Sequence, residues 1–240
     1  VVEKISNINN FNEKNNVKNY GHIMKLRYTP MQLKTLCLSE KQGKFHKEMK
    51  NIIFLDDMRV IFIPLHSMLA PLLISYNYYN KNKKTVFIMA EGGSLNLDLS
   101  NAIYQKKKKK LLDSTITIAN SFGGDYEAVN IFTALMATKL MKADLVVVGI
   151  GPGHVGTNTV LGFSGVELAF YIQAVKILRG KSLLIPRISF ADKRKRHYLI
   201  SHHTLTLLEQ LIINPIEVVF PDIKIIKNNT SNSIILISYQ

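Results

Sequence analysis

The sequence predicts an α/β fold with a mainly parallel sheet flanked by helices, in a Rossmann-like three-layer arrangement. Two observations support this fold class. Short β-branched runs alternate along the chain with longer amphipathic segments, which is the order expected of successive βα units. The short runs are also apolar at consecutive positions, and such runs are typical of parallel strands that are buried on both faces.

Five runs are predicted strands, and the four segments that separate them are predicted helices. The strands are expected at residues 60–65, 85–90, 115–119, 144–150 and 182–186. The helices are expected at residues 68–79, 97–112, 128–141 and 166–178. A last helix is expected after Thr204, and further edge strands at residues 216–220, 223–226 and 234–238.

The length and composition fit one large folded domain. The chain has 240 residues, of which 47% are hydrophobic, and this excludes a disordered protein. Residues 21–221 are predicted to form the α/β domain. Residues 1–20 are Asn-rich and are expected to be a flexible lead-in, whereas residues 222–240 are expected to form a tail with an edge strand. No membrane span is predicted, because Pro64, His66 and Pro71 interrupt the longest uncharged stretch.

Cysteine usage and charge restrict the setting and the partners. The single cysteine, Cys37, allows no internal disulfide, so a reduced cytoplasm is the expected location. The formal net charge of +14, from 31 Lys and Arg against 17 Asp and Glu, favours anionic partners. The basic run at residues 193–196 is interpreted either as a solvated loop or as part of a nucleic-acid-binding surface. A homo-oligomer is compatible with the sequence.

Small and polar residues follow each predicted strand. Because ligands of open α/β sheets bind outside the carboxyl ends of the strands, these clusters predict one shared ligand cleft. The clusters are His66 with Ser67, residues 91–94, residues 120–125, residues 149–157, and Arg187 with Ser189 and Asp192.

The loop at residues 149–157 is the most distinctive of these clusters. Its Gly151, Gly153 and Gly156 match the spaced glycines of dinucleotide-binding loops, but no helix is predicted to begin directly after them. We expect instead a longer loop whose backbone N–H groups bind a phosphate or a carboxylate, with the side chains of residues 157–159 as further donors. A tight loop whose glycines only provide positive φ angles is the other interpretation.

Carboxylates follow two of the predicted strands. Asp125 and Glu127 come after residues 115–119, and Glu91 comes after residues 85–90. Asp125 is expected either to bind a cation or a hydroxyl group, or to cap the helix that follows it. Two or three carboxylates in one cleft suit acid/base work or a divalent cation, which is therefore a candidate cofactor.

The histidine pair His202 and His203 precedes the last predicted helix. Adjacent side chains point apart on a helix or a strand, so a metal ion shared by both residues would require a bent backbone. One of them is expected to complete a metal site with Asp192, His66 or Asp125, or to act as a general base. His154, which lies in the loop at residues 149–157, is assigned no role.

Two groups of residues therefore form the predicted site. The candidate catalytic residues are His66, Glu91, Asp125, His202 and His203. The candidate ligand-binding residues are Ser121, Gly123, Gly124, Gly151, Gly153, Gly156, Thr157, Ser164, Arg187 and Asp192.

Six segments in one order resemble the bacterial family called domain of unknown function 3866. The segments are residues 21–30, 66–71, 121–130, 151–165, 186–192 and 201–206. The resemblance runs collinearly from Gly21 to about Leu208 and implies a bacterial cytoplasmic protein. It also implies a β-rich amino-terminal region, of which residues 1–20 are interpreted as a remnant. The family has no established activity, substrate or catalytic residue that the resemblance carries over.

The leading functional hypothesis is a protein that binds a small anionic or nucleotide-like ligand at the glycine-rich loop. Acid/base chemistry or metal-assisted hydrolysis or transfer would follow from the nearby carboxylates and imidazoles. The alternative is a non-catalytic module that senses a ligand or binds nucleic acid through the basic surface. The sequence leaves open whether the protein is an enzyme.

Overall fold

A computed structural model describes residues 21–91, 96–151, 153–221 and 234–236. The predicted lead-in at residues 1–20 and the predicted strand at residues 223–226 lie outside the described residues. The strands are β1 (Ile23–Lys25), β2 (Leu33–Thr35), β3 (Arg59–Ile63), β4 (Thr85–Ala90), β5 (Ser114–Thr117), β6 (Tyr126–Glu127), β7 (Leu145–Ile150), β8 (Lys181–Leu184), β9 (Ile188–Ser189), β10 (Leu199–Ile200), β11 (Glu217–Pro221) and β12 (Ile234–Leu236). The helices are α1 (Leu69–Tyr79), α2 (Asn101–Lys108), α3 (Ile131–Leu140), α4 (Glu167–Ile177) and α5 (His202–Thr206).

The central sheet confirms the predicted α/β class. Its eight strands lie in the order β12-β11-β8-β3-β7-β4-β5-β6, and all except β12 run parallel. Strand β12 pairs antiparallel with β11 at one edge. The pairs β1-β2 and β9-β10 form two small antiparallel sheets beside it. Among the described helices, none has the length and apolar character needed to cross a membrane.

Helices cover both faces of the sheet, as a three-layer arrangement requires. Val86 and Ile88 of β4 pack in the same apolar cluster as α3 and α4. Phe87 and Met89, which alternate with them along the strand, pack in the second cluster with α1 and α2. Strands β4 and β7 are buried at every position, which explains their uninterrupted apolar sequences.

The neighbouring strands β3 and β7 send the chain to opposite faces. From β3 the chain passes through α1 on one face and reaches β4 beyond β7. From β7 it passes through α4 on the other face and reaches β8 beyond β3. Parallel crossover connections share one hand, so connections that run in opposite directions lie on opposite faces. This switch point leaves a crevice outside the carboxyl ends of β3 and β7.

The predicted elements agree with the structure except at their ends and in the shortest pieces. Strand β4 has the predicted bounds, and β5 ends at Thr117, just before Ala119 adopts a positive φ of 52°. Helix α2 is shorter than predicted, because Ser100 caps it at its start and Lys110, with a φ of 54°, ends it. The last helix begins at His202 rather than after Thr204. The sequence patterns did not predict β1, β2, β6, β9 and β10.

Helix α3 begins later than predicted, and Asp125 does not cap it. The Asn130 side chain accepts a hydrogen bond from the backbone N–H of Thr133, and the Thr133 hydroxyl oxygen accepts one from the backbone N–H of Asn130. These two bonds form a capping box at the start of the helix. The helix cannot start earlier because Tyr126 and Glu127 pair with β5 as a strand. The cap interpretation of Asp125 is therefore wrong.

A buried ion pair attaches the β1-β2 hairpin to the edge of the central sheet. The ammonium group of Lys25, 1% exposed, pairs with Glu127 and donates to the backbone carbonyl groups of Thr117 and Ser121. The Glu127 carboxylate also accepts from the Thr117 hydroxyl and the Gly123 N–H. Burial raises the pKa of Glu127, and the Lys25 charge opposes this shift. The pair is satisfied only while both partners are present.

Removing the cation tests this interaction. We expect Lys25→Met to lower the free energy of unfolding by about 3–5 kcal/mol, because the Glu127 carboxylate stays buried without its partner. Urea unfolding at pH 7 measures the change. The matched control is Lys83→Met, which removes the cation of an exposed pair with Asp144 and should change stability little. Similar losses in the two variants would contradict a special role for the buried pair.

Candidate functional site

The crevice at the switch point is lined by the segments that follow β3, β7 and β8. After β3 comes His66, after β7 comes the glycine-rich loop with His154, and after β8 comes Arg187. The Pro64 carbonyl lies close to the His154 ring, although not in hydrogen-bond geometry. It opposes the effect of burial, which lowers the pKa of His154. The loops after β3 and β7 are therefore in contact at the mouth of the crevice.

The glycine-rich loop folds back on itself as a short hairpin. Gly156 and Phe163 form an antiparallel bridge, and the N–H of Thr157 donates to the carbonyl of Gly162 over 2.7 Å. The N–H of Ser164 donates to Val155, whose own N–H donates to the Ser164 hydroxyl. The Thr157 hydroxyl also donates within the loop. These expected anion donors are thus used by the loop itself.

Two glycines of this segment have conformational or steric reasons to be glycine. Gly153 has a φ of 83° and is exposed, with open space where a side chain would begin. A Cβ atom on Gly165 would lie 2.8 Å from the His154 ring and 2.9 Å from the Phe163 ring. Gly165 therefore allows both rings to pack against the backbone, and Gly151 is buried at the end of β7.

The His66 imidazole links the ends of two neighbouring segments. Its Nε2 atom lies 2.9 Å from the hydroxyl of Ser100, the cap of α2, and its ring contacts Phe87 edge-on. Its Nδ1 atom is buried and has no hydrogen-bond partner. Burial lowers the pKa of His66, so the ring is neutral at neutral pH.

Four imidazoles form one group, which we call the histidine cluster: His154, His197, His202 and His203. The ring centroids of His202 and His203 lie 4.2 Å apart, and each lies 5.1 Å from that of His197. The centroid of His154 lies 5.5 Å from that of His203. Within the described chain, the ligand atoms of His197, His202 and His203 all lie within 4.8 Å of one another.

The expectation that His202 and His203 point apart is wrong. The buried Phe163 ring stacks on His203 at 4.0 Å and 9°, and it meets His202 edge-on at 6.1 Å. Ser201, in extended conformation, caps α5 directly before the pair. Both imidazoles lie on the first turn of the helix and are gathered by their contacts with Phe163 and His197.

The histidine cluster is desolvated and lies beside positive charge. Burial, followed by neighbouring positive charge that includes Arg187, lowers the pKa of His197 to about 4. Burial, the neighbouring imidazoles and Arg187 lower the pKa of His203 to about 3. Burial and Arg187 also lower the pKa of His154, and burial and Arg196 lower that of His202. All four rings are therefore neutral at neutral pH, and each has one ring nitrogen that carries a lone pair.

Arg187 is held in place by Asp192. Its Nη2 atom lies 2.7 Å from the Asp192 carboxylate, which also accepts from Arg194. These hydrogen bonds, those from Arg194 first, keep the pKa of Asp192 well below its usual range. Asp192 therefore orients the guanidinium groups at this edge of the crevice and has no oxygen reserved for a metal ion.

Glu91 lies on the opposite side of the crevice, near α4. Its carboxylate accepts a hydrogen bond of 2.8 Å from Asn120. The Tyr171 hydroxyl donates to Glu167 over 2.9 Å, and burial, then the charges of Glu167 and Glu91, raise the pKa of Tyr171. Glu91 is thus within electrostatic reach of the first turns of α4.

Four predicted residues serve the edge of the sheet instead of the crevice. The buried Ser121 hydroxyl donates to Ala90, and the N–H groups of Gly123 and Gly124 donate to Glu127 and Thr117. Asp125 accepts from the N–H and hydroxyl of Thr115 and pairs with Lys107 in the last turn of α2. Because Thr115 is near the start of β5, Asp125 lies toward the amino end of the sheet.

His154, His197 and Phe163 were not predicted from the sequence. His197 belongs to a short turn before β10, and it is separated from His202 by four residues and from His203 by five, which is a common spacing of zinc-binding histidines. This spacing and the presence of His154 in the glycine-rich loop were the usable signals. An imidazole in a loop at a strand end needs a polar partner or a function when it is buried.

The neutral imidazoles predict a loss of stability on acidification in metal-free protein. The unfolded state binds protons near pH 6.5, whereas folded His197 and His203 resist protonation down to about pH 4 and about pH 3. The free energy of unfolding should therefore fall as the pH drops from 6.5 to 5, by at most about 1.4 kcal/mol per pH unit for each imidazole.

Urea unfolding at several pH values between 5 and 7.5 measures this dependence. His197→Asn should reduce the slope, because one buried imidazole is removed. Lys83→Met, which changes an exposed ion pair and no histidine, should leave the slope unchanged. A stability that stays constant over this range would show that the imidazoles take up protons in the folded state as readily as in the unfolded state.

Comparisons with known proteins give a family but no activity. No curated protein and no solved structure matches the chain. The family described as "Protein of unknown function (DUF3866)" matches residues 2–236. Because this match covers nearly the whole chain, and because it agrees with the resemblance of the six segments, the protein belongs to this family.

Proposed function

We propose that the protein binds a small anionic or nucleotide-like ligand in the crevice and catalyses its hydrolysis or a group transfer. One observation carries the proposal. Within the described residues, the buried side-chain nitrogen and oxygen atoms without a hydrogen-bond partner are Nδ1 of His66, Nδ1 and Nε2 of His154, and Oγ1 of Thr204. All of them belong to the segments around the crevice, and buried polar atoms of this kind are expected to meet a ligand, water or an ion.

Arg187 supports an anionic ligand. Its charge reaches three imidazoles of the histidine cluster, and its side chain is 23% exposed. A guanidinium group that is already oriented by a carboxylate binds phosphate or carboxylate groups in a defined geometry. In this proposal Arg187 is the main anion-binding group, and Gly151 and Gly153 contribute backbone lining.

Neutral imidazoles support proton transfer. His66 and His154 each have a ring nitrogen that is unpartnered, and the pKa of each is lowered by burial. Such rings accept a proton at neutral pH and therefore suit the role of general base toward a water molecule or a ligand hydroxyl. In this proposal Glu91, which is within electrostatic reach of Tyr171 of α4, is the carboxylate for acid/base chemistry. The six resembling segments and the single cysteine favour a setting in the bacterial cytoplasm.

Ligand-induced stabilisation tests the proposal in chelator-treated protein. A panel of nucleotides, sugar phosphates and acyl phosphates is screened by thermal unfolding. A ligand at a hundred times its dissociation constant should add about 2.7 kcal/mol, which corresponds to roughly 5–10 °C for a domain of this size. We expect Arg187→Gln to abolish the shift, measured from the variant's own ligand-free midpoint.

The matched control is Arg59→Gln, which removes an exposed arginine at the amino end of β3, away from the crevice. It should leave the ligand-induced shift unchanged. Equal loss in both variants would show that only overall charge matters. If no small anion acts but a short nucleic acid does so in a salt-sensitive manner, the basic-surface alternative replaces the proposal.

A further inference from the structure

The histidine cluster contains a set of ligands that the crevice proposal does not require. We propose that His197, His202 and His203 bind one divalent transition-metal ion of the zinc class. Their ligand atoms lie within 4.8 Å of one another. Metal binding stands on this geometry alone, and only a role of the metal in hydrolysis rests on the proposed function.

The distances fit a site that closes with small side-chain movements. Zinc–nitrogen bonds of about 2.0–2.1 Å in a tetrahedral site place the ligand nitrogens about 3.3–3.4 Å apart. The ligand atoms of the three histidines lie at most 4.8 Å apart, so each separation exceeds the zinc-site value by less than about 1.5 Å. Modest rotations of the three rings would bring the nitrogens to the shorter distance. The stacking of Phe163 holds the His203 ring in place, and the cap formed by Ser201 holds the backbone at the start of α5.

The tautomer of His197 is already the one that a metal requires. The Nε group of Arg196 can only donate, and it lies 3.3 Å from Nε2 of His197, so Nε2 carries the lone pair. The proton is therefore on Nδ1, which donates to the Ser201 hydroxyl over 2.8 Å. Histidine ligands of metal ions commonly donate their second ring N–H in this way, which fixes the ring orientation.

The ligand types select the metal. Three neutral imidazoles without a carboxylate suit zinc, cobalt, nickel or copper, whereas magnesium and calcium prefer oxygen ligands. Asp192 is held by Arg187 and Arg194 and so does not change this preference. Three protein ligands would leave a fourth position for water or an anion, as in catalytic zinc sites. His154 lies next to His203, with both of its ring nitrogens unpartnered.

Arg196 competes with the metal. Its guanidinium donates to the lone pair of His197 and also to the side-chain oxygen of Asn158 in the hairpin loop. A bound ion must displace it from His197 and also experiences its positive charge. Arg196→Gln should therefore bind the metal more tightly, by roughly two- to tenfold. A general loss of structure would instead weaken binding, so this variant distinguishes direct competition from a nonspecific effect.

Direct metal binding tests the site. Tag-free full-length protein is stripped with a chelator and titrated with Zn²⁺ by calorimetry and with Co²⁺ by visible absorption. We expect one ion per chain and the intense bands of tetrahedral Co²⁺. His197→Asn, His202→Asn and His203→Asn should each weaken Zn²⁺ binding by more than about 100-fold, which exceeds the cost of losing an outer-shell partner. His22→Asn is the matched control and should bind as the wild type does.

X-ray absorption at the zinc edge of the wild-type protein provides a measurement that needs no variant. It should show imidazole nitrogens as the majority of the ligands. The proposal is overturned if the stripped wild type takes up no stoichiometric Zn²⁺ or Co²⁺, if imidazole is absent from the ligands, or if all three cluster variants retain wild-type affinity. The anion screen uses metal-free protein, so its result tests anion binding independently of the metal. The metal titrations use no anionic ligand, so their result tests the metal site independently of anion binding.

Discussion

The fixed hand of parallel crossover connections determines where the edge of the central sheet is left open. Since β3 leads the chain toward β4 and β7 leads it toward β8, the helices that follow these neighbouring strands must lie on opposite faces. The ends of β3 and β7 are consequently left open. The segment after β3 turns within three residues at His66, whereas the segment after β7 extends from Gly151 to Phe163 before the next helical turn. The β7 loop is therefore the longer of the two loops at the crevice.

Burial gives the crevice its chemical character. An imidazole that is removed from water loses its proton more readily, and Arg187 strengthens this effect in the histidine cluster. Neutral rings coexist with a guanidinium group without repulsion, which charged rings would not. The same desolvation therefore allows a cationic anion-binding group and several proton acceptors or metal ligands to occupy one small volume.

The parts that sequence reasoning predicted well are those determined by local pattern. Strands β4 and β7 are apolar at consecutive positions because the sheet buries both of their faces, so their bounds could be predicted to within one residue. Strand β6 has two residues, and only its pairing with β5 defines it. That pairing requires the chain to double back after Thr117, which places Asp125 beside Thr115 and away from the crevice. No local pattern indicates this reversal.

The candidate site shows the same division. The sequence indicated that His66, Arg187 and the glycine-rich loop follow strand ends, which depends only on the order of elements. It did not indicate that the loop uses several of its own N–H groups, because the Gly156–Phe163 bridge is a contact between distant positions of the loop. It also did not show that His197 approaches His202, because the chain between them must turn at β10, which pairs with β9. The convergence of the imidazoles is a tertiary property.

The balance of charges around Arg187 connects the proposed anion site with the proposed metal site. Asp192 is the carboxylate that neutralises Arg187 and Arg194, and three imidazoles bring no negative charge to a bound metal ion. A divalent ion at this position would therefore retain its full charge beside Arg187 and would attract an anion as its fourth ligand. In the proposed site, a small anionic ligand that reaches both the metal and Arg187 would compensate this charge. The excess of positive charge would therefore favour an anionic ligand over a neutral one.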